Sequence, residues 1–303
     1  MSGTVASTDK VPLSAKVSLS IACFLWAISF IATKVAVASV PPFTLVTLRL
    51  LISSLCFITW FIVRGSKPKY EGIRWLGQLF LLSLFGTGLH YSIQTIGLKY
   101  TTASNASLYA VTGPVTILII AVLFLGEKLT VKKAGGLLLA MTGVIAVMGI
   151  KTIASFDFKG HMLGDLLVFA SIFMWGVFTV FGKSMTKRMN ALELAAIVTF
   201  IGSLCMIPFC WFEMRANTFS ILSIGRDAWI AIAFLGITCS FLATLLYLKA
   251  LKRTESQKVG VYLYTIPPMT YIIASFYLGE NIGSNLIIGS LFVLAGVYIT
   301  ENG

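Results

Sequence analysis

The chain is a succession of apolar runs about twenty residues long, divided by short stretches of charge, glycine or proline. They lie near 16 to 38, 42 to 63, 75 to 98, 102 to 125, 131 to 150, 163 to 183, 192 to 212, 228 to 250, 257 to 278 and 284 to 300. A helix rises 1.5 Å per residue, so each run matches the ~30 Å hydrocarbon core of a bilayer. Of the 303 residues 57% are hydrophobic and 11% charged. In water that balance would leave large apolar patches uncovered. The expected fold is an all-α integral membrane protein of ten transmembrane helices. Only short connections remain, with no room for a soluble catalytic or DNA-binding domain. The run from Val17 to Val37 lacks a small-residue cleavage site and reads as the first membrane helix rather than a removed leader.

The formal charge of +12 invites a nucleic-acid reading, but the bases sit singly or in small groups at span ends, where membrane topology places them. With the N-terminus inside, sixteen of the 23 Lys and Arg fall on the cytoplasmic side, in groups from Lys10 to Lys16, Arg64 to Arg74, Lys128 to Lys133, Lys183 to Arg188 and Lys249 to Lys258. The expectation is a multi-pass protein of a prokaryotic plasma membrane with both termini cytoplasmic. Its partners are then membrane lipids and a small-molecule substrate, not nucleic acid. Cys23, Cys56, Cys205, Cys210 and Cys239 all fall inside apolar runs without a CxxC pair and read as small hydrophobes.

The two halves repeat each other. Trp26 to Lys34 falls on Trp175 to Lys183 at an offset of 149, and at an offset of 153 Pro114, Gly126-Glu127, Gly136 and Gly143 fall on Pro267, Gly279-Glu280, Gly289 and Gly296. The expected organisation is a polar tail over 1–15, a five-helix repeat over 16–150, a connection over 151–162 and a second five-helix repeat over 163–303. An odd number of spans per half makes the second enter from the other side. Lys128, Lys132 and Lys133 follow Glu127, whereas no base follows Glu280 directly. Inverted repeats are a recurrent transporter construction with a site near the midplane.

These features resemble the drug/metabolite transporter superfamily, and within it the EamA type. The carriers are the Trp-x-x-x-Phe run of the first span, Pro42 with Arg49, the stretch Gly97 to Tyr109, and Pro114 through Leu-Gly-Glu127, echoed by Ala250 to Ser256, Pro267 and Leu-Gly-Glu280. The resemblance implies a cavity lined by spans 1, 3, 4, 6, 8 and 9, alternating access, and export of small metabolites such as amino acids across the cell inner membrane. Import or exchange of sugars, nucleosides or phosphorylated compounds is the alternative, and a non-transporting sensor or assembly protein a further one. The carboxylate that small multidrug relatives carry in their first span is missing from Ala22 to Trp26. No enzyme motif, metal cluster or cofactor signature appears, so the chain reads as no enzyme and needs no cofactor. A proton or counter-substrate as coupling partner stays open, and no oligomeric state follows.

The substrate-binding candidates are Trp26, Phe30, His90, Tyr91, Gln94, Asn105, Tyr109, Trp175, Thr179, Tyr262 and Tyr264. His90 sits midway along its span, with Gln94 one turn on and on the same face. It either lines a cavity or bonds between helices. Trp26 and Trp175 lie deeper than the interfacial belt and either stack a substrate from two sides or pack against neighbours. Phe30 and Thr179 follow them by four residues. Asn105, Tyr109, Tyr262 and Tyr264 precede Pro114 and Pro267, prolines that break the backbone ladder. Arg49 reads either as holding a substrate carboxylate or as bonding helix-terminal carbonyls. Lys34 and Lys183 favour their own helix C-termini. Glu127 and Glu280 read as end-of-helix latches to lysine or backbone.

Overall fold

A computed structural model describes residues 11–65, 75–101, 112–154, 158–278 and 284–303. Among these the helices are α1 (Leu13–Val37), α2 (Pro42–Val63), α3 (Leu76–Tyr100), α4 (Thr112–Leu125), α5 (Val131–Ala154), α6 (Phe158–Thr186), α7 (Ala191–Ala216) and α8 (Arg226–Arg253). Then come α9, in which Ser256–Tyr262 passes through the 3-10 turn Leu263–Thr265 into Ile266–Leu278, and α10 (Ser284–Glu301). The molecule is an all-α integral membrane protein of the ten-helix, two-repeat type. Six of the helices are long and apolar enough to cross a bilayer by length and composition alone.

Local chemistry sets the helix ends. Pro12 and Pro41 precede α1 and α2, and Pro42 opens α2, at positions where a missing N–H costs nothing. Asn190 and Glu193 form a reciprocal capping box on α7. In α9, Pro267 and Pro268 come one residue after the 3-10 turn, at the start of the next helical segment, where neither need donate to the preceding ladder.

Exchanging the halves matches the main helix contacts of one with those of the other. α1 lies on α8 and α9, as α6 lies on α3 and α4, while α2 meets α7, α4 meets α9 and α5 meets α10. The last of these seams is backbone to backbone. A Cβ on Gly136 would come 2.7 Å from the Gly296 oxygen, and one on Gly143 would come 2.6 Å from the Gly289 oxygen. Low numbers on α5 meet high numbers on α10, so these counterpart helices run antiparallel. The same holds for α2 and α7, where Thr47 bonds the Met206 carbonyl at 3.3 Å and Ser54 bonds Ser203 at 3.4 Å.

α3 and α8 share a further irregularity. Each is α-helical at both ends but widens into a π segment, Leu84–Gly88 in α3 and Leu235–Ala243 in α8. The 153-residue offset superposes the two segments. Large apolar side chains such as Leu55, Leu123, Phe212 and Leu291 point outward, as lipid contact requires.

Candidate functional site

Three aromatic rings from three helices meet at the centre of the molecule. The Trp26 and Trp175 centroids are 5.1 Å apart, edge to face, and Tyr247 lies 5.2 Å from the first and 5.3 Å from the second. The Tyr247 and Thr179 hydroxyls share a hydrogen bond of 2.8 Å. Edge-to-face and tilted rings place positive edges on negative faces, so the cluster is cohesive beyond its buried area.

On the side of this cluster toward the C-terminus of α1 opens a cavity of about 100 Å³, lined by Trp26, Ser29, Phe30, Arg49, His90, Tyr91, Gln94, Gly113, Ile172, Trp175, Leu263 and Ile266. One buried water takes about 10–15 Å³ on such a measure, so the space suits a small metabolite. Helices α1, α2, α3, α4, α6 and α9 contribute. Tyr247 of α8 lies in the floor.

Arg49 is the one full charge on this wall among the described residues, and no Asp or Glu is there. It is 3% exposed. Its Nε donates to Ser240 Oγ at 3.0 Å and its guanidinium lies 4.0 Å above the Tyr91 ring. Ser240 belongs to the π segment of α8, where Gly236 lets α2 approach: a Cβ there would come 2.9 Å from the Arg49 carbonyl oxygen. Beside Arg49, His90 Nδ1–H donates to the Ser171 carbonyl at 2.8 Å, which fixes the ring. Ser29 Oγ donates to the Trp26 carbonyl at 2.6 Å.

Away from the cavity, toward the chain termini, the halves are tied together. The Glu127 carboxylate accepts from the backbone N–H of Ser256 at 2.7 Å and of Gln257 at 3.1 Å, and so caps α9. Within the second half, Lys183 Nζ donates to the Leu251 and Thr254 carbonyls at 2.5 and 2.6 Å. Lys133 pairs with Glu255, and Glu301 receives Lys16 and the Tyr262 hydroxyl. At the other end Lys34, the counterpart of Lys183, has a single bond of 3.3 Å to the Leu98 carbonyl.

Of the eleven candidates, Trp26, Phe30, His90, Tyr91, Gln94 and Trp175 come together on the cavity wall. Asn105 and Tyr109 lie outside the described residues. Thr179 sits below the floor, Tyr262 is engaged with Glu301, and Tyr264 is buried. The tryptophans touch each other instead of standing apart as two faces of a slot. Arg49 bonds a serine hydroxyl rather than helix-terminal carbonyls. Lys34 and Lys183 reach the last turns of α3 and α8, not their own helices. Glu127 latches to backbone, and Glu280 lies outside the described residues. Ser29, Gly113, Ile172, Leu263 and Ile266 were absent from the sequence candidates, as was Tyr247. Tyr247 could have been found through the repeat, since the 153-residue offset makes it the counterpart of Gln94.

Comparison with known proteins bears on the same architecture. The sequence model of the EamA-like transporter family matches residues 14–149 and 162–301. An uncharacterized transporter of Archaeoglobus fulgidus is 32% identical over 282 residues, covering 93% of this chain and 95% of its own. The uncharacterized transporter YvbV of Bacillus subtilis is 27% identical over 287 residues, covering 93% and 90%. A solved crystal structure superposes with a TM-score of 0.78 at 22% identity, over 94% of this chain and 96% of its own. That likeness shows the fold alone.

Proposed function

Since the chain belongs to the EamA-like transporter family, we propose that it is a secondary transporter that exports small metabolites such as amino acids across the cytoplasmic membrane by alternating access. The observation that carries this reading is a cavity between the halves, closed at one end by the Trp26–Trp175–Tyr247 floor and the ties around Glu127, Lys133 and Glu301. Antiparallel counterpart helices support the inversion of the repeats, and two inverted halves that exchange conformations give two facing states. With both termini cytoplasmic, the present state faces outward.

In this reading Trp26, Phe30, His90, Tyr91, Gln94 and Trp175 bind the substrate, with Asn105 and Tyr109 at the entry to α4. Thr179, Tyr262 and Tyr264 join them when the opposite face opens. A proton or counter-substrate gradient supplies the driving force. The test is flux in proteoliposomes against a metabolite panel under both gradient directions, with a lumenal pH dye. Trp26→Ala, His90→Ala and Trp175→Ala should each lower flux at least about tenfold with folded protein retained, a loss of ~1.4 kcal/mol at the site. Wild-type flux in all three would remove the cavity from the mechanism, and no transported compound would remove transport itself.

A further inference from the structure

Among the described residues Arg49 is a buried cation without a counter-charge. Its Nε is taken by Ser240 and one face by Tyr91. Among the described residues neither Nη has a hydrogen-bond partner, and the side chain lines the cavity. A guanidinium left unpaired in low dielectric is costly unless water or a ligand completes it. Its remaining edge is the two-nitrogen fork that matches a carboxylate. Around it the wall is aromatic and aliphatic: Trp26, Phe30, Trp175, Ile172 and Ile266. Among the described residues no Asp or Glu stands there to neutralise an ammonium.

From this we infer that the cavity is built for a small organic monoanion, whose carboxylate pairs with the Nη edge of Arg49 and whose apolar or aromatic body lies against Trp26, Trp175 and Phe30. The inference rests on the transport reading and narrows its substrate class. A monocarboxylate brings the site to charge zero. A zwitterionic amino acid delivers the same carboxylate but leaves its ammonium as a second, unpaired cation, so the deaminated acid is the better ligand. A phosphate monoester carries close to two charges against one arginine and leaves the site negative. Gln94 and His90 lie on the same wall as neutral polar groups, so they orient a ligand without changing this balance.

The test uses ligands of one body and differing charge: 3-phenylpropionate, phenylalanine, phenethylamine, phenyl phosphate and neutral 3-phenylpropionamide. Binding to the purified full chain is read by quenching of tryptophan fluorescence. 3-Phenylpropionate should bind tightest, at least about threefold tighter than phenylalanine and about 10- to 100-fold tighter than phenethylamine, the span that one charged hydrogen-bonded pair supplies. In Arg49→Gln the advantage of the acid over its amide should vanish while the amide still binds, and Arg49→Lys should keep the order at reduced strength. Phenylalanine, phenethylamine or phenyl phosphate outranking the acid in the wild-type protein would overturn the inference, and needs no variant to fold. So would an Arg49→Gln protein that binds the amide and keeps the preference for the acid. Flux of some other compound with this order reversed would sink the charge assignment and leave transport standing.

Discussion

At the scale of residues, the Tyr247–Thr179 bond is the contact that best separates packing from chemistry. Both groups are fully buried and face each other below the floor. Removing one hydroxyl leaves the other without a partner, which costs more than removing both. Tyr247→Phe should lower stability by about 1–3 kcal/mol, while Tyr247→Phe with Thr179→Val should recover most of it, read as thermal unfolding in detergent. An additive double mutant would show that the hydroxyls do not act as a pair. The residue types of this site were visible in the sequence; their partners were not. Arg49 and Ser240 stand 191 positions apart, and nothing in a span of leucines and serines says which serine an arginine will find. Trp26 and Trp175 were marked by their matching places, but sequence could not say that they would touch. The offset between halves held more than was drawn from it, because it makes Tyr247, absent from the candidates, the counterpart of Gln94.

At the scale of elements, span positions were almost fully legible. Apolar runs bounded by charge and proline have one outcome in lipid, a helix that satisfies its own backbone. The seam between α5 and α10 was half legible: glycines spaced seven apart imply close packing, but not that Gly136 would face Gly296. Its test is local. Gly143→Ala places a methyl where the Gly289 oxygen already lies at 2.6 Å, and should cost about 1–3 kcal/mol. Gly135→Ala meets nothing within 4 Å and should be neutral or stabilising by up to about 1 kcal/mol. Equal melting temperatures for the two variants would dissolve the seam. The paired π segments were illegible. No side-chain pattern selects an i→i+5 bond over i→i+4, and what marks the segments is close packing across helices: Gly236 against α2, and Gly202 of α7 against Gly88 of α3.

At the scale of the whole molecule, the two ends are unequal. Ties cross between the halves at both ends, since away from the termini Glu213 caps α2 through the Phe43 and Thr44 N–H groups at 3.1 and 2.7 Å and Thr101 bonds Asp165. The terminal end, however, is the one closed by the aromatic floor, so opening there should bring the greatest change in solvent access. Cys23 is a natural probe: it is fully buried, one turn from Trp26 on the terminal side, with Sγ 3.4 Å from the Tyr262 carbonyl. In a chain keeping only this cysteine, Glu127→Ala removes the cap on α9 and should raise maleimide labelling of Cys23 several-fold, a population shift of order 1 kcal/mol. Unchanged labelling would mean that Glu127 caps a helix without holding the end shut.

Lys183 and Lys34 also bear on the state not seen. They occupy one position in two halves, and one has two carbonyls where the other has a single longer bond. Each half is therefore a template for what its twin becomes when the faces swap. Thr101 holds the place in the first half that Thr254 holds in the second. In the opposite state Lys34 should draw in to the carbonyls of both Leu98 and Thr101 while Lys183 slackens. Spin labels placed beside these two ends should report one distance shortening as the other grows, and two distances that change together would break the exchange.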